Sequence, residues 1–161
     1  MATLSFTPIG TIYTPHTTLQ NMPIQPLGAK GIRGKIVLNK AFVEGLKDLE
    51  GFSHITILYH LHKAEDYSLL VTPFMDTEKR GLFATRAPKR PNPIGISTVQ
   101  LIAVNNNELI IEDVDMLNET PLLDIKPFFS KFDNRDGSKS GWLDDLWNEQ
   151  KKHTKSDGRF A

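Results

Sequence analysis

The chain has 161 residues, of which 39% are hydrophobic and 24% charged, as is typical of one globular domain and not of a disordered chain. It contains no cysteine, which excludes disulfides, cysteine-ligated zinc, iron–sulfur clusters and a cysteine nucleophile. Its 19 basic and 19 acidic residues cancel in sum, but they are segregated along the chain, and segregated charge can attract a polyanion.

Nothing in the sequence predicts a membrane segment or a secretory signal. The longest nearly apolar run, from Ile55 to Leu61, is far too short to span a bilayer. The first ten residues lack the basic and apolar regions of a signal peptide. We therefore expect a cytoplasmic protein with no membrane partner.

Short β-branched runs between the ten prolines predict a mainly β domain, because proline interrupts helices. The runs that we predict as strands are residues 32–38, 54–61, 69–72, 81–85, 94–104 and 109–114. The segment Asn105–Asn107 predicts a hairpin between the last two, since Asn tolerates a positive φ.

Two segments predict helices. Asn39 is the expected N-cap of a helix over residues 40–50, which carries an apolar stripe and ends at Gly51. Residues 142–152 carry a second stripe that includes Trp142 and Trp147. The sum is an antiparallel barrel or sandwich with one internal helix and a C-terminal helix.

The common nucleotide-binding patterns are absent from this sequence, since neither a dinucleotide fingerprint nor a P-loop occurs. The glycine-rich basic segment at residues 28–34 has a different spacing. It could hold phosphates through backbone amides with Lys30 or Arg33, or it could be a flexible turn before a strand. A Rossmann-type route to nucleotide binding is therefore unsupported.

Three histidines, His54, His60 and His62, share parity on one predicted strand and so would project from one face. His60 and His62 have a spacing that could ligate a metal, but no suitable third ligand is evident. We therefore favour a polar pocket wall or a solvated strand face and expect no metal. Ser53 beside His54 lacks the nucleophile elbow that would indicate a catalytic serine.

The segment 80–97 combines four cations with three prolines and two glycines. Pro91 and Pro93 fix the backbone around Asn92, and a preformed loop loses little entropy when a ligand binds. Arg86 and Arg90 can each form a bidentate fork with phosphate or carboxylate. The segment could be a rigid connector with solvated cations, but its composition favours a binding role.

Two stretches of that segment resemble the signature of the TsaA-like, or TrmO-like, family: Gly-Leu-Phe-Ala-Thr-Arg at 81–86 and Arg-Pro-Asn-Pro-Ile-Gly-Ile-Ser at 90–97. Four further segments match in the same order. They are residues 9–15, 23–26, 51–62 and 120–127. The resemblance covers residues 5–128 and implies an antiparallel β-barrel methyltransferase that uses S-adenosylmethionine without a Rossmann fold.

The resemblance also implies a domain division and partners. The barrel is expected over residues 1–130, and a C-terminal helix and tail over 131–161 would make this a short form without the extra C-terminal domain of longer members. The implied reaction is N6-methylation of threonylcarbamoyladenosine at position 37 of a tRNA. The implied assembly is a homodimer with the cofactor near the subunit interface.

Several residues match the family's cofactor-contacting positions. They are Pro23, Ile24, Gln25, His62, Lys63, Arg86, Ile96, Asp115, Met116, Leu117 and Asn118. Of these, Arg86 suits the cofactor carboxylate, and Ile24 stands where the family usually has Arg.

Other residues are candidates for the tRNA backbone and for the proton that N6 must lose. The cations expected to bind nucleic acid are Lys30, Arg33, Lys79, Arg80, Lys89 and Arg90. Asp115, Asp124 and His62 are the candidate proton acceptors, which the sequence does not rank. Two alternatives stay open: a methyltransferase acting on a small molecule or protein, and a non-catalytic barrel that binds a nucleotide or tRNA.

Overall fold

The structure is a computed structural model that describes residues 1–20, 22, 26–74 and 76–156. Eight strands lie in these residues. They are β1 (Gly10–Tyr13), β2 (Arg33–Leu38), β3 (His54–His60), β4 (Leu70–Val71), β5 (Arg80–Gly81), β6 (Ile94–Asn105), β7 (Glu108–Glu112) and β8 (Thr120–Pro127).

Six of the strands close into an antiparallel barrel in the order β1-β2-β7-β6-β3-β8, and β4 and β5 form a separate two-stranded sheet. The barrel closes where β1 pairs with β8, with Gly10 opposite Leu122. Closure removes the unpaired edges that an open sheet would expose. The predicted mainly β antiparallel barrel is confirmed.

The core forms because alternate residues of each strand face the barrel interior. On β3, Ile55, Ile57 and Tyr59 are buried, while the residues between them are more exposed. On β6 the inward set begins with Gly95 and Ser97. The interior is otherwise aliphatic, and its fully buried side chains include Ile12, Ile36, Leu109, Ile111 and Leu122.

The predicted internal helix over 40–50 is wrong in kind. Two 3-10 helices, Lys40–Leu46 and Leu49–Gly51, occupy the segment, and Asp48 between them has φ +68°. Leu46 ends the first of these helices and Leu49 begins the second, and both are buried in the barrel core. The predicted N-cap is confirmed, because the Asn39 side chain accepts a hydrogen bond from the Ala41 amide.

The predicted strand over 81–85 is also wrong. The extended backbone ends at Gly81, and a 3-10 helix follows over Leu82–Ala84. Leu82 is buried, and its carbonyl accepts from both the amide and the hydroxyl of Thr85. These local bonds turn the chain away from a strand path. The pattern also failed to predict β8, in which Pro121 and Pro127 interrupt the apolar run.

The chain after the barrel forms two helices, α1 (Ser130–Asp133) and α2 (Trp142–Ser156). The second confirms the predicted C-terminal helix and runs a few residues further. The Trp142 indole nitrogen donates to the Ala84 carbonyl over 2.9 Å, and the Arg80 guanidinium lies 5.3 Å from the centre of the indole ring. Within the described ranges, no helix has the length and apolar character needed to cross a membrane.

Candidate active site

One end of the barrel is polar. In the described part of the chain, the buried polar side chains are Thr14, Ser97 and Thr120. Thr14 follows β1, Ser97 lies near the start of β6, and Thr120 opens β8. The antiparallel pairing brings these three positions to the same end, which we call the polar end.

A chain of three hydrogen-bonded side chains runs across the polar end. The Tyr59 hydroxyl lies 2.9 Å from the Ser97 hydroxyl, and Ser97 donates to Oδ1 of Asp115 over 2.9 Å. Gly95 makes room for the Tyr59 ring, because a Cβ at position 95 would lie 2.2 Å from that ring. The three residues belong to β3, β6 and the segment after β7, so the fold alone brings them together.

The electrostatics of Tyr59 locate two charged side chains. The pKa of Tyr59 is raised to about 12, chiefly by burial and also by the negative charge of Asp115, while the hydrogen bond with Ser97 and the positive charge of Arg86 lower it. Both charges therefore lie close enough to influence the same phenol. The structure thus brings together two sequence-predicted residues, Arg86 and Asp115, that are far apart in the chain.

The segment 113–119, which we call the strip, is held to the chain after β1. Thr14 donates through its hydroxyl to the Met116 carbonyl over 2.8 Å and through its amide to the Asn118 side chain over 3.0 Å. The Asn118 amide donates to the His16 carbonyl. The Met116 side chain packs into the barrel core. Only the backbone of Met116 therefore faces away from the core. Glu119 has φ +63°.

Arg90 shapes the loop that carries Arg86. Its Nη1 donates to the carbonyls of Leu82, Thr85 and Ala87 over 3.4, 2.9 and 3.2 Å. One guanidinium nitrogen thus bridges three carbonyls of the same loop, and Arg86 stays exposed at the surface of the loop. The rigidity predicted from the prolines is therefore supplied in part by a side chain.

The end of β3 joins the same site. The Leu61 amide donates to the Pro93 carbonyl over 2.8 Å. Burial and the adjacent Lys63 cation lower the pKa of the His62 imidazole, while Glu119 of the strip opposes that shift. His62 and Lys63 thus follow the end of β3 at the polar end, and His62 lies within electrostatic range of Glu119 of the strip.

Two predicted residues lie elsewhere. Ile96 on β6 and Asp124 on β8 are the two neighbours of Leu58 on β3, and both occupy outward-facing positions of their strands. Asp124 forms an ion pair with Lys126 over 2.8 Å, and Ile96 is half exposed. Of the candidate proton acceptors, Asp115 and His62 are at the polar end and Asp124 is on the outer wall. Pro23, Ile24 and Gln25 lie outside the described residues.

The predicted nucleic-acid-binding cations differ in their partners. Arg33 lies 3.7 Å from Glu112, and Arg80 pairs with Asp76 at 2.8 Å and Glu78 at 3.3 Å. The exposed members of the set are Lys30, Arg33, Lys79 and Lys89. Gly31, beside Lys30, has φ +80° and donates its amide to the Asp113 carboxylate over 2.8 Å.

A shallow groove of about 440 Å³ lies beside the polar end on the outside of the barrel. Its lining residues are Tyr13, Thr14, Pro15, Arg33, Gly34, Lys35 and Ile110. Thr14 connects this groove to the strip through its bonds to Met116 and Asn118. Across the described residues, no group of three or more His, Asp or Glu side chains could hold a metal ion.

Sequence reasoning missed Tyr59, Ser97 and Thr14. Ser97 was quoted in the signature but given no role, and Tyr59 has the inward parity of Ile55 and Ile57 on β3. That parity was the available signal, because a phenol among aliphatic residues on an inward face needs a hydrogen-bond partner.

The fold and site define a class of protein: a small closed β-barrel that sets a guanidinium and a carboxylate around one polar end. The chain belongs to the TrmO family, because the family model described as the tRNA-methyltransferase O N-terminal domain matches residues 11–134. The suggested resemblance is therefore confirmed.

Relatives and solved structures agree with this assignment. A protein of Pyrococcus abyssi named a probable S-adenosyl-L-methionine-binding protein is 49% identical over 157 residues, covering 98% of this chain and 85% of that protein. The human tRNA (adenine(37)-N6)-methyltransferase is 31% identical over 134 residues, covering 79% of this chain but 30% of the human protein. The crystal structure of TrmO from Pseudomonas aeruginosa superposes with a TM-score of 0.76 at 37% identity, covering 89% of this chain and 64% of that chain.

Proposed function

We propose that this chain is an S-adenosylmethionine-dependent methyltransferase that acts on N6 of adenosine 37, in its threonylcarbamoyl form, in a tRNA. Membership of the TrmO family supports the proposal, together with the name of the human relative. The single observation that carries it is that the charges of Arg86 and Asp115 both act on the Tyr59 phenol at the polar end, because a guanidinium and a carboxylate in range of one pocket suit a ligand that bears both a carboxylate and hydrogen-bond donors.

In this proposal each side chain has a distinct task. Bound S-adenosylmethionine supplies an activated methyl group. Arg86 forms a fork with the cofactor carboxylate, and Asp115 accepts hydrogen bonds from ligand donors. His62 is the better of the two polar-end candidates for the proton that N6 releases, because its pKa is lowered and it is therefore neutral and able to accept a proton at neutral pH. Orientation by these groups is expected to supply most of the rate.

Cofactor binding is tested by titrating the full chain with S-adenosylmethionine in a calorimeter. Arg86→Ala is expected to weaken binding at least about tenfold, because a charge-assisted hydrogen bond contributes about 1.5–3 kcal/mol. Arg86→Lys keeps the positive charge but lacks the guanidinium fork, so its affinity should lie between those of the wild-type protein and Arg86→Ala. Lys131→Ala, an exposed cation on α1, is the matched control. Undiminished binding by Arg86→Ala would contradict the assignment.

Methyl transfer is tested with tRNA that carries threonylcarbamoyladenosine but lacks its N6-methyl group. Incubation with the protein and S-adenosylmethionine should add one methyl group to that nucleoside, detected by mass spectrometry after digestion. Binding of the cofactor without any transfer to tRNA would leave the family assignment intact and remove the proposed substrate.

A second candidate function, methyl transfer to a small molecule or protein, is favoured by the ion pairs. Arg33, Lys35 and Arg80 each lie within 4 Å of a carboxylate, which weakens the positive field that a tRNA would meet. The salt dependence of binding separates the two. Each phosphate contact to a single strand should contribute a log–log slope of about −0.7, and a flat response would favour the second candidate.

A homodimer is part of the proposal. Large apolar side chains are exposed near the polar end and on the C-terminal helices, including Phe83, Phe132, Leu143 and Trp147. Exposed apolar groups of this kind are typical of protein interfaces. Sedimentation equilibrium of the full chain should give twice the 18.1 kDa monomer mass, and a monomer at all concentrations would contradict the dimer.

A further inference from the structure

Ser97 and Tyr59 form a hydrogen-bond chain whose direction is fixed. A serine has one hydroxyl proton, and Ser97 donates it to the Asp115 carboxylate, which can only accept. The remaining bond, between Ser97 and Tyr59, must therefore be donated by the tyrosine. The phenol is protonated and able to donate at neutral pH, as an ordinary tyrosine is, and its pKa is raised further from that range, to about 12, chiefly by burial.

The chain of hydrogen bonds ends at one carboxylate oxygen of Asp115. Ser97 holds Oδ1 over 2.9 Å, and among the residues that the structure describes no hydrogen bond or ion pair engages Oδ2. Fixing one oxygen of a carboxylate fixes the plane of the group and hence the direction of the other oxygen. Tyr59 and Ser97 are 6% and 8% exposed, so the side chains that set this direction are shielded from water.

Gly95 fixes the position of the phenol. A Cβ at position 95 would overlap the Tyr59 ring, so the ring lies flat against the backbone of β6 and its hydroxyl reaches Ser97, two residues further along the strand. Gly95 therefore supplies the space that the Tyr59 ring needs beside β6.

We propose that Ser97 is a positioning residue, with Tyr59 as its support, that aims Oδ2 of Asp115 at hydrogen-bond donors of bound S-adenosylmethionine. The inference rests on the proposed function, since it requires that cofactor to bind at the polar end. It assigns a role to two residues that belong neither to the arginine loop nor to the strip.

The test is calorimetric titration of the full-length protein with S-adenosylmethionine. Ser97→Ala should weaken binding about tenfold, because an aimed acceptor loses its orientation and the loss of one hydrogen bond to a charged group is of that size. Tyr59→Phe should weaken it only about two- to threefold, because Ser97 can still donate to Asp115. Thr98→Ala is the matched control and should change binding less than twofold. This control removes the Thr98 hydroxyl, which is next to Ser97 on β6 and hydrogen-bonds to the Thr56 hydroxyl on the exposed face.

A double variant separates loss of binding from loss of folding. Ser97→Ala leaves the buried Tyr59 hydroxyl without its partner, whereas the double variant Ser97→Ala/Tyr59→Phe removes both hydroxyls and avoids that cost. The double variant should fold and bind as weakly as Ser97→Ala. A merely structural role for Ser97 predicts instead that the double variant recovers affinity along with stability, and that recovery would overturn the proposal.

The part of the ligand that Asp115 contacts is tested by repeating the titrations with S-adenosylhomocysteine, which lacks the sulfonium charge. Equal losses for both ligands are expected, because Ser97 orients a hydrogen-bond acceptor. A loss confined to S-adenosylmethionine would overturn this, since it would set the carboxylate against the sulfonium.

The two levels of the proposal fail differently. If the wild-type protein does not bind S-adenosylmethionine, the proposed function fails. If the wild-type protein binds and Ser97→Ala binds equally well, the proposed function stands and only this inference is overturned.

Discussion

The two ends of the barrel are closed by side chains of opposite character. At one end, which we call the apolar end, Leu46 and Leu49 from two 3-10 helices cover the core. At the polar end the covering groups include Thr14, Ser97 and Asp115. Burying polar groups lowers stability unless each finds a partner, and no buried side-chain nitrogen or oxygen in the described residues lacks one. The difference agrees with the proposed function, in which the apolar end stabilises the fold and the polar end binds the ligand.

The largest expected effect is at the apolar end. Leu49→Ala should lower the free energy of unfolding by about 2 to 5 kcal/mol, because it leaves a cavity beneath the 3-10 helix. Urea denaturation measures the change. Leu143→Ala, the same substitution at a side chain that is 49% exposed on α2, should change stability by less than about 0.5 kcal/mol. Equal effects of the two would break the comparison.

The next effect is an alkaline loss of stability that comes from the polar end. The pKa of Tyr59 is about 12 in the folded protein against 10.0 for an ordinary tyrosine, so between these values the unfolded chain releases the proton and the folded chain keeps it. Stability should therefore fall as pH rises from 10 to 12, by roughly 2 to 3 kcal/mol. Tyr59→Phe should remove that part of the decline. An identical pH profile for both proteins would contradict the assigned burial of the phenol.

The smallest effect concerns His62, where only the direction is expected. Burial and Lys63 lower the pKa of its imidazole, His60 contributes mixed effects through its backbone and its charge, and Glu119 opposes the shift. Below pH 6.5 the unfolded chain therefore binds a proton more readily than the folded chain, and stability should fall with acid. His62→Gln should flatten the acid limb, and Lys63→Ala should shrink it. A steeper acid limb in His62→Gln would reverse the sign of the argument.

The same comparison explains what the sequence could predict. The predicted apolar stripe of residues 40–50 comprised Phe42, Val43, Leu46 and Leu49. Leu46 and Leu49 are in the core, whereas Phe42 is 43% exposed and the helix type was wrong. Asn39 was predicted as the cap from residue type alone, and its side chain does cap the segment. Such local features follow from residues close together in the chain.

The polar end depends on contacts between distant residues. Tyr59 and Ser97 are 38 positions apart, and Ser97 and Asp115 are 18 apart, so their meeting requires the register of β3 against β6, which one sequence does not fix. Asp115 was predicted only through the family resemblance, whereas Arg86 was also singled out by the composition of segment 80–97. The ion pair of Arg33 with Glu112 was missed for the same reason, because strand pairing sets that partner. The partners of Arg80, in contrast, are close in the chain and depend on loop geometry.

The bond from Trp142 to the Ala84 carbonyl has a practical consequence. It attaches an indole, one of two in the chain, to the backbone of the loop that carries Arg86. A fluorophore is therefore built into the wall of the candidate site. A ligand that shifts this loop will change the polarity around the indole, so emission from Trp142 in a Trp147→Phe background gives a label-free signal for following ligand entry in real time.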